Sequence, residues 1–322
     1  MVMKMDKQIL KEIIECLPKG RTLFRYFRDR YALLLLQHVI GKGISIAQLK
    51  ASRFARLLEK SSVKEVLAFC GTGFLVPQSL DLAWGDDGRD FLLTLAEWDG
   101  RKSRWAQTSR KGMNLVLQMN FSSAHDRVYR NLVQPEWDTL LNYDEHPVMK
   151  RGTRRFFRET LAWARIDLDF TTGEALIEEI QSDWIRQATK MLHRAQDDMR
   201  NQGNKLYWHG VEGDPASVIK YVDKVLQPYE TMWAEAMLAV TIDFIRSELG
   251  FKKIFYHTHE TGCQLKRIDS AKPPRSLYDK LPRQFCFVKT EEAPEFLFSD
   301  KQFSRIYRRL KQPQWQLMDF SL

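Results

Sequence analysis

The stretch between residues 161 and 184 constrains the fold more than any other part of the chain. Alternating side chains flank the turn sequence Thr171-Thr172-Gly173 and predict a β-hairpin over 161–180. On its first strand, apolar residues alternate with polar or aromatic ones, which predicts one buried and one solvent-exposed face. The second strand runs into Ser182 and Asp183, either of which can cap a following helix. A hairpin that leads directly into a helix indicates a fold containing both sheet and helix.

A helix followed by a strand is predicted further along the chain. Apolar residues recur at helical spacing over 232–249, Gly250 is placed to end the helix, and 253–257 has the composition of a strand. Helix, glycine and strand in this order are typical of the crossover that joins parallel strands. With further strands at 91–96 and 114–121, the sequence predicts an α+β fold with a mixed sheet.

Positive charge is concentrated at the start of the chain. The net charge is +9, and residues 1–60 contain thirteen Lys or Arg against five Asp or Glu. Such a region attracts polyanions, so we expect it to bind nucleic acid, although a solvated basic face on a helical domain is an equal alternative. Residues 43–58 have the pattern of a helix-turn-helix, which is a weak signal. The nucleic-acid-binding candidates are Arg21, Arg25, Arg28, Lys50, Arg53 and Arg56.

Periodicity and composition divide the chain into three predicted parts. The helical period gives way to strand-like alternation after Gly71-Thr72-Gly73. We therefore predict a helical basic region over 1–80, a mixed α/β domain over 81–300 and a basic, aromatic tail over 301–322. The tail is either a contact for single-stranded nucleic acid or a helix packed by its apolar edge. Residues 201–230, rich in Gly, Asn, Asp and Pro, are interpreted as an insertion or long loop.

Composition excludes several classes of protein. Hydrophobic residues make up 44% and charged residues 28% of the chain, which excludes disordered and collagen-like proteins. The four cysteines lack a CxxC spacing, so a disulfide framework and a cysteine zinc site are not indicated. No apolar run approaches the roughly 20 residues that a bilayer span needs. We expect a cytoplasmic protein without a membrane partner.

The junction between hairpin and helix concentrates groups that can carry chemistry. Because side chains alternate along a strand, Glu179 and Gln181 share one face, and Glu178 and Ser182 share the other, so only one acid is expected to enter a cleft. An acid in apolar surroundings acquires a raised pKa suited to general acid or base catalysis. Glu179, Gln181 and Asp183 are therefore the catalytic candidates. The alternative is a surface acid beside a capping Ser-Asp pair.

A second candidate group lies downstream. His257 and His259 share one face of a predicted strand end, and we expect them to position a substrate. A third ligand at matched spacing is not evident, so no metal is assigned. Arg275 follows two prolines that stiffen its turn, and a fixed arginine suits recognition of a carboxylate or phosphate. An exposed Arg at a helix entry is at least as good an explanation.

The sequence ALIEEIQSDW at 175–184 resembles the EEIQSDW motif, usually continued by His-Gln, of a domain in the large polyvalent proteins of phages and conjugative elements. Three further blocks agree in order, AQTSR at 106–110, NLVLQMNF at 114–121 and GFKKI at 250–254. The resemblance covers roughly residues 90–290. It implies a mobile-element or phage-conflict protein. Trp184, the last residue of the quoted motif, is a substrate-binding candidate, although its position is also one that we would assign to the core. Ile185-Arg186 stand where the motif has His-Gln. If that histidine is catalytic in relatives, this chain must use another group or lack the activity.

The C-terminal half is similar, more distantly, to the last part of GNAT-type N-acetyltransferases. The order of strand, long helix, strand, short helix and strand carries this resemblance. It implies an acetyltransferase-like domain in which Tyr278 protonates a leaving thiolate of coenzyme A. That family has a glycine-rich pyrophosphate loop before the long helix, whereas residues 227–232 contain no glycine. The cofactor is therefore left unassigned.

Together these observations predict group transfer to a macromolecular substrate, with nucleic acid as the first candidate. Glu179, Gln181 and Asp183 would activate the nucleophile, the two histidines would position it and Tyr278 would act as an acid. One alternative is a nucleic-acid-binding module without chemistry. Another is a protein that binds or inhibits a host-defence complex. The catalytic hypothesis requires the acids of the hairpin and the two downstream imidazoles to lie at one pocket.

Overall fold

The computed structural model describes residues 7–16, 23–81, 83, 85–99, 107–151, 157–201, 203, 205–270 and 272–320. The strands are β1 (Leu23–Tyr26), β2 (Ile44–Ser45), β3 (Phe74–Leu75), β4 (Arg89–Asp99), β5 (Met113–Asn120), β6 (Thr160–Asp169), β7 (Glu174–Gln181), β8 (Lys253–His257), β9 (Val288–Thr290) and β10 (Trp315–Asp319). The helices are α1 (Lys7–Cys16), α2 (Arg30–Val39), α3 (Ile46–Lys50), α4 (Ser61–Ala68), α5 (Pro77–Leu80), α6 (Ser123–Val133), α7 (Asp183–Arg200), α8 (Pro215–Lys220), α9 (Gln227–Ser247), α10 (His259–Lys266), α11 (Lys280–Gln284) and α12 (Lys301–Tyr307).

A mixed eight-stranded sheet organises the molecule. Its strand order is β1-β4-β5-β6-β7-β8-β10-β9, and β2 and β3 form a separate two-stranded sheet. The pair β7–β8 is parallel, and the other neighbours in the large sheet are antiparallel. The predicted hairpin is confirmed as β6–β7, and the predicted crossover is confirmed because α9 leads into a strand parallel to β7. The α+β class with a mixed sheet is therefore correct.

Backbone pairing crosses both of the domain boundaries that the sequence suggests. From the N-terminal region, β1 pairs with β4, with Leu23 opposite Leu92. From the C-terminal tail, β10 lies between β8 and β9, with Trp315 opposite His257. The tail thus contributes the interior strand β10 to the large sheet and the helix α12 to the layer that covers it.

The hairpin is buried on both faces. Every residue of β6 is buried, so the predicted solvent-exposed face is wrong. Helices α7 and α9 pack on one face, where Ala162, Ala164 and Ile166 lie. On the other face, side chains of α10, α12 and the 3₁₀ turn Glu295–Ser299 pack against β7, β8 and β10. Sequence alternation could not reveal this second layer, because the helices that form it lie far beyond the hairpin in the chain.

Helices α8 and α9 form one continuous helical segment through a π-helical turn, Tyr221–Leu226. The prediction of a loop over 201–230 is therefore wrong for its second half. The segment starts where the Asp214 side chain accepts a hydrogen bond from Ser217 N at 2.9 Å and Pro215 occupies the first turn. These two residues, read as loop formers, act as a helix start.

The N-terminal region packs onto the same core as the sheet. Tyr26 of β1 donates a hydrogen bond to Glu235 of α9 at 2.6 Å, and α2 packs against α9. Within the region, α3 and α4 are separated by a 3₁₀ turn, Ala55–Glu59, and flanked by the pair β2–β3. In the described ranges, no helix is both long and apolar enough to cross a bilayer.

Candidate functional site

The EIQSDW segment and the segment with His257 and His259 meet at the carboxyl ends of the parallel strands β7 and β8. The strand register pairs Ile177 with Tyr256, and beyond this point each strand gives way to a helix. Ser182 caps α7 by accepting from Ile185 N at 3.1 Å, as the sequence predicts, and Thr258 caps α10 in the same way. Ligand contacts in α/β folds gather at this kind of edge.

A β-bulge changes which acids point to the same side. Arg165 pairs with Glu179 and Ile166 pairs with Ile177, so Glu178 is one extra residue in β7. Both carboxylates thereby turn to the face that also carries Arg165. The expectation that only one of the two acids could do so is wrong, because it assumed strict alternation.

Glu178, rather than Glu179, contacts His257. Its Oε2 lies 3.1 Å from His257 Nε2 and 3.2 Å from Lys266 Nζ, and its other oxygen accepts from Ser109 N at 2.8 Å. Lys266 also donates to the backbone carbonyl of Glu178. All four residues are buried, so this network is closed to solvent.

Burial and charge set the protonation of this network. Burial raises the pKa of Glu178, but the charge of Lys266 and the hydrogen bond with His257 outweigh it and hold that pKa below its ordinary value. Burial, followed by the charge of Lys266, lowers the pKa of His257. Ser109 Oγ lies 2.9 Å from His257 Nε2, the same nitrogen that faces Glu178. A relay triad uses both ring nitrogens, whereas Nδ1 of His257 is buried without a hydrogen-bond partner in the described ranges, so these contacts are not those of a relay triad.

Glu179 forms an ion pair with Arg165, which is almost wholly buried. The guanidinium of Arg165 lies 4.9 Å from the ring centre of Trp98 and donates to the Gln107 carbonyl at 2.9 Å. The side chain of Glu179 is 13% exposed, so it lies at the margin of the buried region.

Asp183 and Gln181 meet a histidine that the sequence did not single out. His146 Nδ1 lies 2.6 Å from one oxygen of the buried Asp183 carboxylate, and Gln181 Nε2 donates to the other at 2.6 Å. Arg186 also contacts Asp183. The side chain of His146 is 27% exposed. Gln181 Nε2 also lies 3.3 Å from His146 Nδ1. A carboxylate can only accept, so the contact with Asp183 is a hydrogen bond when the ring carries a hydrogen on Nδ1, and in the neutral ring Nε2 is then unprotonated.

The loop that carries His146 is anchored by the two residues that follow the histidine. The neighbouring Pro147 carbonyl accepts a hydrogen bond from buried Gln118 at 2.6 Å, and Val148 packs on Trp163. The imidazole also lies 5.5 Å from the ring of Trp163 and 5.2 Å from that of Tyr143. No local pattern around His146 predicts this position, because it depends on contacts with β5 and β6.

These residues form one group at the edge of the sheet, which we call the edge cluster. The ring of Trp98 contacts two members of this group: it lies 6.5 Å from the ring of His146 and 4.9 Å from the guanidinium of Arg165. The edge cluster comprises His146, Arg165, Glu179, Gln181, Asp183 and Arg186. It therefore contains all three acid and amide residues chosen from the sequence, together with one unforeseen histidine and two arginines.

Tyr278 packs on Tyr256 of β8, in the core cluster that also contains Ile177. It is buried and its ring is 5.3 Å from that of Tyr256. Burial raises the pKa of Tyr278 well above its ordinary value, and the negative charges of neighbouring groups, including Glu179, raise it further. The phenol therefore stays protonated at neutral pH and is within electrostatic range of Glu179.

The remaining candidates from the C-terminal half do not join the edge cluster through any contact found within the described ranges. His259 is buried, with Nε2 3.1 Å from the Pro273 carbonyl oxygen. Arg275 is exposed and pairs with Glu260 at 3.0 Å. Trp184 is fully buried in the helical layer, where its indole donates to the Tyr221 hydroxyl at 2.8 Å. The site that sequence analysis placed around both histidines is thus divided between a sealed network and a more open cluster.

The basic candidates near the N-terminus differ in their surroundings. Arg25 pairs with Asp90 at 3.3 Å, Arg56 donates to the Arg283 carbonyl at 2.6 Å and Arg53 donates to the carbonyl of Asp319. Arg28 and Lys50 are exposed, and Arg21 lies outside the described residues. Three of these side chains therefore make contacts within the chain.

No group of three or more His, Cys, Asp or Glu side chains in the described ranges is arranged to hold a metal ion. Comparisons of the chain with protein-family models, curated proteins and solved structures found no match.

Proposed function

We propose that the protein is a group-transfer enzyme in which His146, oriented by Asp183, is the general base. The observation that carries this proposal is the 2.6 Å contact between His146 Nδ1 and a buried carboxylate, made by an imidazole side chain that is 27% exposed. An imidazole fixed in this way accepts a proton at Nε2, and the carboxylate stabilises the imidazolium that forms.

In the proposed reaction, the substrate nucleophile loses its proton to His146 Nε2 and bonds to the electrophilic centre of the donor. The bond from that centre to the leaving group breaks, and Tyr278 supplies the proton that the leaving group needs. Arg186, beside Asp183, provides positive charge near developing negative charge. Solvent then returns a proton to Tyr278 and removes one from His146.

The resemblance to the EIQSDW motif supports this assignment. That motif continues with a histidine where this chain has Ile185. His146 brings an imidazole to Asp183 of the same motif from a different part of the chain. A mobile-element or phage-conflict role rests on this resemblance alone.

The acetyltransferase-like part of the proposal is supported by the order β7, α9, β8, α11, β9. An acyl group is therefore the first group to test. Coenzyme A would have to bind differently here from the family's mode, because α9 continues directly from the π-helical turn. Gln227 N, for example, is already bonded to Val222 O within the helix.

The test uses the transferred mass as its readout. Purified protein is incubated with single-stranded oligonucleotide or protein acceptors and a panel of acyl, phosphoryl and nucleotidyl donors, and the acceptors are analysed by intact mass spectrometry. We expect a defined mass increase whose rate falls by about 100-fold or more in His146→Asn. His193→Asn, which alters an exposed histidine of α7, is the matched control. Unchanged transfer by His146→Asn would refute the assignment.

A nucleic-acid-binding module without chemistry is the second candidate. The closed network of Glu178, His257, Ser109 and Lys266 favours it, because that part of the predicted site serves packing and charge balance. Absence of transfer with every donor, together with tight nucleic-acid binding, would select this candidate.

A further inference from the structure

A cavity of about 510 Å³ lies against α12, and most of its lining side chains are cationic. Its lining residues are Phe298, Lys301, Ser304, Arg305, Arg308 and Arg309. Lys301, Arg305 and Arg308 recur at helical spacing, so they share one side of α12 and the turn that follows it. With a rise of about 1.5 Å per residue, positions 301–309 extend over about 12 Å.

The four cations of this cavity have no ion-pair partner in the described parts of the chain. No acidic side chain there lies within 4.0 Å of Lys301, Arg305, Arg308 or Arg309, whereas Arg25 pairs with Asp90. Like charges gathered without counter-charges repel one another, and an anionic ligand relieves this repulsion. The cavity is therefore the clearest anion-binding feature among the described residues.

An aromatic ring lies at the same cavity. Phe298 is 48% exposed, and its ring meets those of Phe303 and Tyr307 at steep angles, with centroids 5.3 Å away in each case. Because both neighbours are anchored in α12, the exposed ring is held in a fixed orientation. Unpaired nucleobases stack on such rings, and a duplex hides the faces of its bases.

We propose that this cavity binds single-stranded nucleic acid, with the cations on consecutive phosphates and one base stacked on Phe298. Single-stranded nucleic acid accounts for both the cations and the exposed ring of Phe298, whereas an acidic protein accounts for the cations alone. This proposal deepens the proposed function by naming the class of its macromolecular substrate. It also moves the expected binding surface from the N-terminal basic region to the C-terminal part of the chain.

The cavity is connected to the face of the sheet that carries Glu179 and Arg165. Lys111 N donates to Asp300, which caps α12, at 3.2 Å, and Arg110 pairs with Asp167 of β6 at 2.7 Å. Phe303 of α12 packs in the layer that covers β7, β8 and β10. A strand bound along α12 therefore lies on the same side of the sheet as the edge cluster.

Fluorescence anisotropy with a labelled oligothymidylate tests the proposal on the full chain. For Arg305→Gln/Arg308→Gln/Arg309→Gln we expect affinity to fall about 100-fold at about 0.1 M salt, and the salt slope to drop by about 2. For Phe298→Leu we expect a loss of about tenfold with the salt slope unchanged. Arg28→Gln/Lys42→Gln/Lys50→Gln removes the same charge from exposed N-terminal positions and serves as the matched control.

Several outcomes would overturn the proposal. One is wild-type protein that does not bind the oligonucleotide. Another is equal affinity for the matching duplex or for an acidic peptide. The third is a larger loss of oligonucleotide affinity in the N-terminal control than in the C-terminal triple variant. Thermal unfolding of each variant establishes that it is folded. Binding is measured without any donor present, so failure of transfer and failure of binding are distinguished.

Discussion

His146 and Asp183 are 37 positions apart in the chain, yet their side chains lie 2.6 Å from each other at the end of β7. Asp183 is the first residue of α7, where the helix dipole favours a negative charge. Its carboxylate is fully buried while the imidazole is partly exposed. The buried Asp183 therefore holds the ring of His146 in place while part of that ring stays accessible, as a general base requires.

Removing the charge of Glu178 should destabilise the protein. Glu178→Gln leaves buried Lys266 without its anionic partner, and we expect the free energy of unfolding to fall by roughly 3–5 kcal/mol. Urea denaturation measures it, with Glu65→Gln at an exposed site of α4 as the control. Equal stability of the two variants would contradict the electrostatic role of the network.

The same residue predicts a pH dependence of stability. The pKa of Glu178 is lowered on folding, so its contribution is present above the unfolded value of about 4.5 and is lost as pH falls towards the folded value. Wild-type protein should therefore lose stability on acidification below about pH 4.5, more steeply than Glu178→Gln does. Parallel profiles of stability against pH for the two proteins would mean that folding does not lower the pKa of Glu178.

The ion pair between Arg165 and Glu179 should show strong coupling. Glu179→Ala removes the carboxylate that pairs with the buried guanidinium of Arg165, at a cost of roughly 3 kcal/mol, and Arg165→Met in the same chain should recover most of it. A double-mutant cycle in urea measures the coupling. Additive effects of the two substitutions would mean that the pair is not formed.

Tyr278→Phe keeps the ring that stacks on Tyr256 and removes only the hydroxyl. We expect the transfer rate to fall by about 100-fold while the midpoint of thermal unfolding stays unchanged. A rate equal to that of wild type would remove Tyr278 from the reaction and leave the role of His146 untouched.

The C-terminal strand should be indispensable to the sheet. Truncation after Gln312 removes β10, which separates β8 from β9 and carries buried Trp315. Hydrogen exchange should then show loss of protection in β8. Protection of β8 equal to that in the full chain would mean that residues 313–322 are dispensable to the sheet.

Local signals in the sequence were enough for part of this structure. The hairpin β6–β7, the cap at Ser182 and the crossover from α9 to β8 depend on residues close together in the chain, and the patterns there predict them correctly. Gln181 and Asp183 were likewise found from their place after a strand.

The rest depends on contacts that no local pattern encodes. The bulge at Glu178 arises from the pairing of β7 with β6, and it directs both acids to one face. His146 reaches Asp183 through a loop anchored on β5. His257 faces Glu178 rather than Glu179 because the register of β7 with β8 places them side by side.

The tautomer of His146 shows whether Asp183 orients the ring as a general base requires. Two-dimensional ¹⁵N–¹H NMR of protein labelled at histidine distinguishes the two neutral forms of the ring, with His146→Asn assigning the signal. We expect the neutral form of the ring to carry its hydrogen on Nδ1 and to leave Nε2 unprotonated, and we expect this preference to be lost in Asp183→Ala. A hydrogen on Nε2 in the wild-type protein, or a signal unaffected by Asp183→Ala, would contradict this expectation.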